Sequence, residues 1–385
     1  MDRGYSERLN LDRVATPCFV VDEARVRSNL EILDRIQERT GCRILLALKA
    51  FAMFSLFPLI RRSLHGVCAS SPHEARLGRE EFGGEVHTFA AGYSEADTRE
   101  LIKLTDHLIF NSFSQWKRFR PLVEESNRNI RCGIRINPEH SEAPVALYDP
   151  CAPQSRLGVR YEEFAGQSLI GITGLHLHTL CEQNADALAR TLEAFESKFG
   201  KYLHELDWLN LGGGHHITRP DYDIGLLCEL ILHFQQKYGV EVYLEPGEAV
   251  VLNAGILVAS VLDIVRNEID IAILDVSAAA HMPDVIEMPY RPEVVGGGRP
   301  GELAYTYRLA GHSCLAGDVI GDYSFADPLK IGDRVAFLDQ AHYTMVKTTT
   351  FNGLQLPSIA IYREASDELQ IVRRFGYDDF KKRLS

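Results

Sequence analysis

The chain has 385 residues, 45% hydrophobic and 24% charged, proportions of a globular protein that exclude a disordered chain, a collagen-like repeat or a coiled coil. Its 53 Asp and Glu outnumber 41 Lys and Arg, a formal net charge of -12, which argues against nucleic-acid binding and is compatible with a cationic ligand. The most apolar stretch, 249–262, is broken by Asn253 and Ser260, the N-terminus has no secretory pattern, and eight scattered cysteines form no CxxC pair, so no membrane span and a cytoplasmic location with reduced thiols are expected.

From residue 43 onward short β-rich runs alternate with amphipathic helical stretches. Strands are expected at 43–49 (RILLALK), 65–70 (HGVCAS), 86–91 (VHTFAA) and 107–112 (HLIFNS). Four more follow at 130–137 (IRCGIRIN), 172–179 (ITGLHLHT), 208–213 (WLNLGG) and 241–247 (EVYLEPG). Helices fit between them at 74–81, 95–104, 114–125 and 185–199. This is the rhythm of a (β/α)8 barrel; the rival, a doubly wound open sheet, lacks its GxGxxG after the first strand. Polar or special residues end the runs: Lys49, Ser70, Asn111, Asn137, His178, Gly212-Gly213-Gly214 and Glu245. In a barrel those ends share one rim, where active sites are built.

After residue 250 the pattern changes to strands with few helices, at 252–265, 271–276, 302–309, 334–338, 358–362 and 368–374. These read as a C-terminal antiparallel β domain, which 16–22 (TPCFVVD) is placed to join. The expected division is a barrel over 23–250 and a β domain made of 1–22 with 251–385.

Several residues in this frame carry chemistry, each with an alternative. Lys49 follows Leu45-Leu46-Ala47-Leu48, where low-dielectric walls would depress its pKa and favour a Schiff base; a lysine emerging to solvent fits the same spacing. The glycine triplet either turns backbone N–H groups toward an anion or makes a tight turn. His176 and His178 face the same way along a strand, and with His215 and His216 they read as a metal set or as one packing and one ring-stacking histidine. Glu245, if buried, needs a partner, either a protonated heterocyclic nitrogen or an arginine. Cys314 alone reads as an inert small hydrophobe.

Taken in order, a strand-end lysine, CAS-x-x-x-E (68–74), HLH, GGG, EPG, G-x-x-C and a late A-x-Y (341–343) resemble the pyridoxal-phosphate decarboxylases of the alanine-racemase-like, or fold III, group. HLHTLCE (176–182), LNLGGGHHIT (209–218), HMPDVIEMPYRP (281–292) and GHSCLAGD (311–318) are most similar to its carboxynorspermidine/carboxyspermidine decarboxylases. The resemblance implies that Lys49 binds pyridoxal phosphate covalently, His178 stacks on its ring and Glu245 pairs with the ring nitrogen. It gives the phosphate to Gly213, Gly214 and Tyr343, and reprotonation of the substrate carbon to Cys314. In this group the cysteine is delivered by the second subunit of a homodimer with shared active sites, and the β domain completes both site and interface. No metal is expected.

A carboxylate at Glu245 would keep the ring nitrogen protonated and favour decarboxylation over racemisation. Two departures bear on the substrate. Glu248 follows EPG where ornithine and diaminopimelate decarboxylases have arginine, and Leu315 follows Cys314 where diaminopimelate decarboxylase has glutamate. Glu248 and Asp284 are therefore expected to contact the amines of a carboxylated polyamine, with Asp318 and Arg291 as further members of the site. Cys181 stands where relatives often place a phosphate-binding serine. The implied reaction is decarboxylation of carboxynorspermidine or carboxyspermidine to norspermidine or spermidine in polyamine biosynthesis. The alternatives are a diaminopimelate or other diamino-acid decarboxylase, a non-catalytic pyridoxal-phosphate protein and a zinc-dependent barrel hydrolase.

Overall fold

Residues 4–143 and 145–385 are described in this computed structural model, and the chain divides into two units. One contains the residues up to Ser28 with Val251–Ser385, and the other is Asn29–Val250. The first begins with β1 (Cys18–Asp22), buried along its whole length, and the helix Glu23–Thr40 leads into the second.

In the Asn29–Val250 unit every β-rich run becomes a strand. They are β2 (Arg43–Ala47), β3 (Gly66–Ala69), β4 (Glu85–Phe89), β5 (His107–Phe110), β6 (Arg131–Asn137), the two-residue β7 (Val159–Arg160) beside β6, β8 (Gly174–His176), β9 (Trp208–Asn210) and β10 (Glu241–Leu244). All but β7 form a parallel ring in the order β5-β4-β3-β2-β10-β9-β8-β6, closed by pairing of β5 with β6. The helices between them start where the sequence supplies caps. Ser71 accepts the N–H of Glu74 ahead of Pro72–Leu77, Ser94 and Asp97 form a reciprocal capping box on Glu95–Leu104, and Ser112 accepts the N–H of Gln115.

Strand beginnings close the floor of the ring. Leu45, Ile109, Trp208 and Tyr243 cluster there, and the indole is accommodated because its neighbours on β6 and β8 are Gly133 and Gly174. A Cβ on Gly174 would lie 2.0 Å from the Trp208 ring. Around this plug Arg43 pairs with Glu85 and with Glu241 (2.9 Å), and Arg131 pairs with Glu241 (2.6 Å). The floor is thus packed and charge-balanced, leaving the strand ends as the reactive face.

The other unit is built on β11 (Gly255–Asn267), β12 (Ile269–Leu274), β13 (Tyr305–Ala310), β14 (Val319–Phe325), β15 (Arg334–Leu338), β16 (Ser358–Arg363) and β17 (Glu368–Arg373). Its sheet runs β14-β13-β12-β11-β1-β16-β17, with β15 also on β11. The expected antiparallel sheet is in fact mixed, because β1 pairs parallel to β16 and β12 parallel to β13. Parallel neighbours need long connections, and residues 275–304 supply one, carrying the short helices Ala278–His281 and Asp284–Glu287. The segment 16–22 does contribute a strand to this sheet. Two elements were not legible. Strand β14 contains Gly321 and Asp322, which interrupt its apolar pattern, and Asp322 is matched across the ladder by Arg308 at 2.8 Å. The helix Tyr377–Leu384 is short and rich in charged residues and buries none of them, so its sequence does not read as a core element. Among the described residues no helix is long and apolar enough to cross a membrane.

Candidate active site

The barrel strands are short and their polar residues lie just beyond them. Lys49 is two residues past β2, His178 two past β8, the glycine triplet begins two past β9, and Glu245 follows β10 directly. Ring closure therefore brings together residues far apart in sequence.

Lys49 Nζ lies 3.4 Å from His178 Nε2. The lysine side chain is accessible to water yet crowded by the surrounding barrel, and this desolvation pushes its pKa below the usual range; Cys68, Arg135, Glu245 and Cys181 are the charged or ionisable groups near it. His178 Nδ1 accepts the N–H of Gly213 at 2.9 Å, and desolvation with nearby Lys49 and Arg135 keeps the ring neutral. A bare Nδ1 leaves the ring proton on Nε2, the nitrogen that faces Lys49 Nζ. The geometry presents a nucleophilic amine.

Glu245 is buried, and both its oxygens are held. Asn210 Nδ2 donates to Oε1 at 2.7 Å, and His176 Nε2 lies 3.2 Å from Oε2. Burial alone would raise this carboxyl's pKa, but these partners hold it well below the usual range, while desolvation keeps His176 neutral. The pair is thus an ionised Glu245 accepting from a neutral histidine. Burial and the charge of Glu245 push the Cys68 thiol well above its ordinary pKa, so it stays protonated beside the carboxylate.

The glycine triplet follows from close backbone approach. Gly212 and Gly214 have φ of +69° and +83°, and a Cβ on Gly214 would lie 1.9 Å from the Leu180 carbonyl oxygen. Of the two glycines expected at a phosphate, Gly213 gives its N–H to His178, whereas Gly214's N–H has no acceptor among the described residues. Glu248 opens the helix Glu248–Val251, lies 3.3 Å from His216 Nε2, and with Glu182 places negative charge near Cys181. Burial is the larger cause that raises the Cys181 thiol to about 11.

Residues expected from the other unit have their own surroundings. Cys314 is exposed, with its N–H donated to Asn352 Oδ1 at 2.8 Å. Tyr343 is partly buried with φ of +42°, a conformation uncommon for a bulky residue. Asp284 is paired with Lys347, which also holds Glu287 at 2.7 Å. Asp318 is only 3% exposed and accepts the N–H groups of Ser313 (3.1 Å) and Ala279 (3.3 Å). It braces the loop that carries Cys314. Arg291 lies over the Tyr323 ring at 4.6 Å and reaches the Gly298 carbonyl, so it packs against its own sheet.

Asn210, Arg135 and Cys68 were not singled out from the sequence. Their signal was a polar residue inside an apolar strand, as in WLNL and GIRIN. Arg135 is buried, donates to the His178 carbonyl at 2.9 Å and lies over Phe89 at 4.6 Å. Among the described residues the group able to share an ion is Glu85, His87 and His107, on the barrel floor. None of His176, His178, His215 or His216 belongs to it. The rings of His87 and His107 stack at 3.7 Å and 10°, which directs their lone pairs along parallel planes rather than at one ion.

A lysine of depressed pKa, a neighbouring histidine, an ionised buried carboxylate and an open glycine N–H are the set that pyridoxal phosphate requires for its aldehyde, ring and phosphate, so the residues present fit that cofactor. Comparison with known proteins agrees. Residues 18–341 match the family described as pyridoxal-dependent decarboxylase, C-terminal sheet domain. A carboxyaminopropylagmatine decarboxylase from Synechocystis is 46% identical over 98% of this chain and 97% of its own. A carboxynorspermidine/carboxyspermidine decarboxylase from Campylobacter jejuni is 43% identical over 97% of this chain and 99% of its own. The crystal structure of carboxynorspermidine decarboxylase from Campylobacter jejuni complexed with norspermidine superposes with a TM-score of 0.90 at 42% identity, covering 96% of this chain and 100% of that one. The chain belongs to the pyridoxal-dependent decarboxylases of fold III, an enzyme family that works with pyridoxal phosphate.

Proposed function

We propose that the protein decarboxylates a carboxylated triamine, carboxynorspermidine or carboxyspermidine, releasing norspermidine or spermidine in polyamine biosynthesis. The observation that carries this reading is identity above 40% along nearly the whole chain to a decarboxylase solved with norspermidine, joined to a carboxylate, Glu248, at the barrel mouth. Glu248 and Glu182 create a negative field suited to protonated amines and unfavourable to the distal carboxylate of diaminopimelate. Asp284 adds to it in this reading, its charge shared with Lys347.

When bound, the cofactor supplies an electron sink for the pair left on the substrate carbon as carbon dioxide departs. Lys49 would hold it covalently through its amine, whose pKa desolvation depresses. His178 would cover one ring face, Glu245 would hold a proton at the ring nitrogen, and Gly213, Gly214 and Tyr343 would enclose the phosphate. Cys314 would return a proton to the substrate carbon. Motif order supports the roles of Tyr343 and Cys314. The same reading makes the protein a cytoplasmic homodimer in which Cys314 of the partner subunit serves each barrel, the barrel spanning 23–250 and the β domain 1–22 with 251–385.

A second reading follows from the Synechocystis relative, whose name denotes a guanidinium-ended substrate. An acidic mouth serves that cation as well. Product binding tests the proposal. Norspermidine and spermidine should bind the cofactor-loaded protein and protect it from thermal unfolding, whereas L-lysine should not; protection by L-lysine alone would overturn the triamine reading.

A further inference from the structure

Three groups converge on Glu245, and one of them has no packing reason to be polar. His176 is 2% exposed, its Nε2 lies 3.2 Å from Glu245 Oε2, and its Nδ1 has no partner among the described residues. An unsatisfied buried nitrogen is unfavourable. A leucine here would avoid that cost, so the imidazole is retained for its Nε2. Asn210 on the opposite side is fixed in turn: its Oδ1 accepts the Gly212 N–H at 2.8 Å, which leaves Nδ2 to donate to Glu245. The Glu245 N–H closes the circuit on the Gly212 carbonyl at 2.7 Å.

We infer that His176 is a positioning residue: as a neutral Nε2–H tautomer it fixes the orientation of the Glu245 carboxylate and keeps it ionised, so that Glu245 holds a proton at the nitrogen of the cofactor ring. This rests on the assignment of Glu245 to that nitrogen made above. The other ionisable groups facing Glu245 are Lys49 beyond β2, Cys68 on β3, His87 on β4 and Arg135 on β6. Of these the protonated Cys68 thiol also bonds to Glu245, while His176 Nε2 is the nitrogen donor that faces Oε2 at 3.2 Å. The imidazole proton is therefore committed to the carboxylate and is not available to the substrate.

The first test needs no variant. In protein labelled with ¹⁵N-histidine, the His176 ring, identified by loss of its signals in His176→Gln, should show Nε2–H and a bare Nδ1 between roughly pH 6 and 9. An Nδ1–H tautomer or an imidazolium in that range would overturn the inference. The second test follows the ¹⁵N shift of ring-labelled pyridoxal phosphate bound to the protein. The ring nitrogen should stay protonated over the same range in wild type and in His176→Gln, which keeps an N–H donor, and should lose its proton within it in His176→Leu. Turnover in the leucine variant should fall about 10–100-fold, as when a residue orienting a functional ligand is removed, with KM nearly unchanged and recovery in glutamine. A leucine variant with lower Tm but an unaltered ring-nitrogen shift would reduce His176 to packing. Failure of wild type to take up pyridoxal phosphate on Lys49 would instead defeat the site assignment, and the tautomer measurement on unloaded protein would still decide the state of His176.

Discussion

Gly213 donates its backbone N–H to Nδ1 of His178 at 2.9 Å, and this bond sets the tautomer of the ring that faces Lys49. With Nδ1 accepting, the imidazole proton lies on Nε2, 3.4 Å from Lys49 Nζ, a geometry that suits an uncharged amine. A glycine read first as an anion site thus acts through a histidine on the group that bonds the cofactor.

Lys49→Ala should lower carbon dioxide release by at least about 10³-fold, because no neighbouring group replaces a covalent anchor. Borohydride reduction followed by peptide mass analysis should find the cofactor on the peptide containing Lys49 in wild type and on no peptide in the variant.

Gly214→Ala places a Cβ 1.9 Å from the Leu180 carbonyl oxygen at a φ of +83°. Left-handed backbone and overpacking together should cost about 2–4 kcal/mol. Chemical denaturation should show that loss, together with weaker retention of pyridoxal phosphate.

Much of this site was legible because its residues stand where apolar strands end. Lys49, His178 and Glu245 each break a hydrophobic run, and barrel topology converts that linear pattern into one rim. Asn210 and His176 carry the same signal, but their task depends on pairing across the barrel to Glu245, which is 35 and 69 residues away in sequence. No local pattern encodes that. Asp318 illustrates a related limit. A carboxylate in a loop looks available to a cation, and only the fold shows it capped by the N–H groups of Ser313 and Ala279. The mixed sheet was likewise hidden, because strand direction is set by the length of connections rather than by strand composition.

Acid should destabilise the protein from mildly acidic pH. Desolvation in the fold, with a neighbouring histidine as the lesser cause, pushes His215 down to about 3 and His281 down to about 4. The unfolded chain protonates its histidines near 6.5, so below that value it binds protons that the fold does not. Stability is fully present above about pH 6.5 and declines as pH falls below it, by at most about 1.4 kcal/mol per pH unit for each group. Urea titrations at several pH values should show the decline, shallower in His215→Gln; a flat profile between pH 7 and 5 would refute the assignment of buried neutral rings.

Glu248→Arg reverses the charge beside His216 at the barrel mouth. Triamine turnover should fall about 10–100-fold, mainly through KM, with the deficit shrinking at high salt if the contact is electrostatic. Steady-state kinetics at two ionic strengths would check this. Undiminished use of the triamine would remove Glu248 from the substrate contacts.

The most direct measurement is carbon dioxide release by the purified, cofactor-loaded protein across a panel of carboxynorspermidine, carboxyspermidine, carboxyaminopropylagmatine, meso-diaminopimelate, ornithine and lysine. The account predicts release from carboxynorspermidine or carboxyspermidine above all others and its loss in Lys49→Ala. Release mainly from carboxyaminopropylagmatine would favour the guanidinium-ended reading. Release mainly from meso-diaminopimelate, ornithine or lysine would contradict the role given to the acidic mouth.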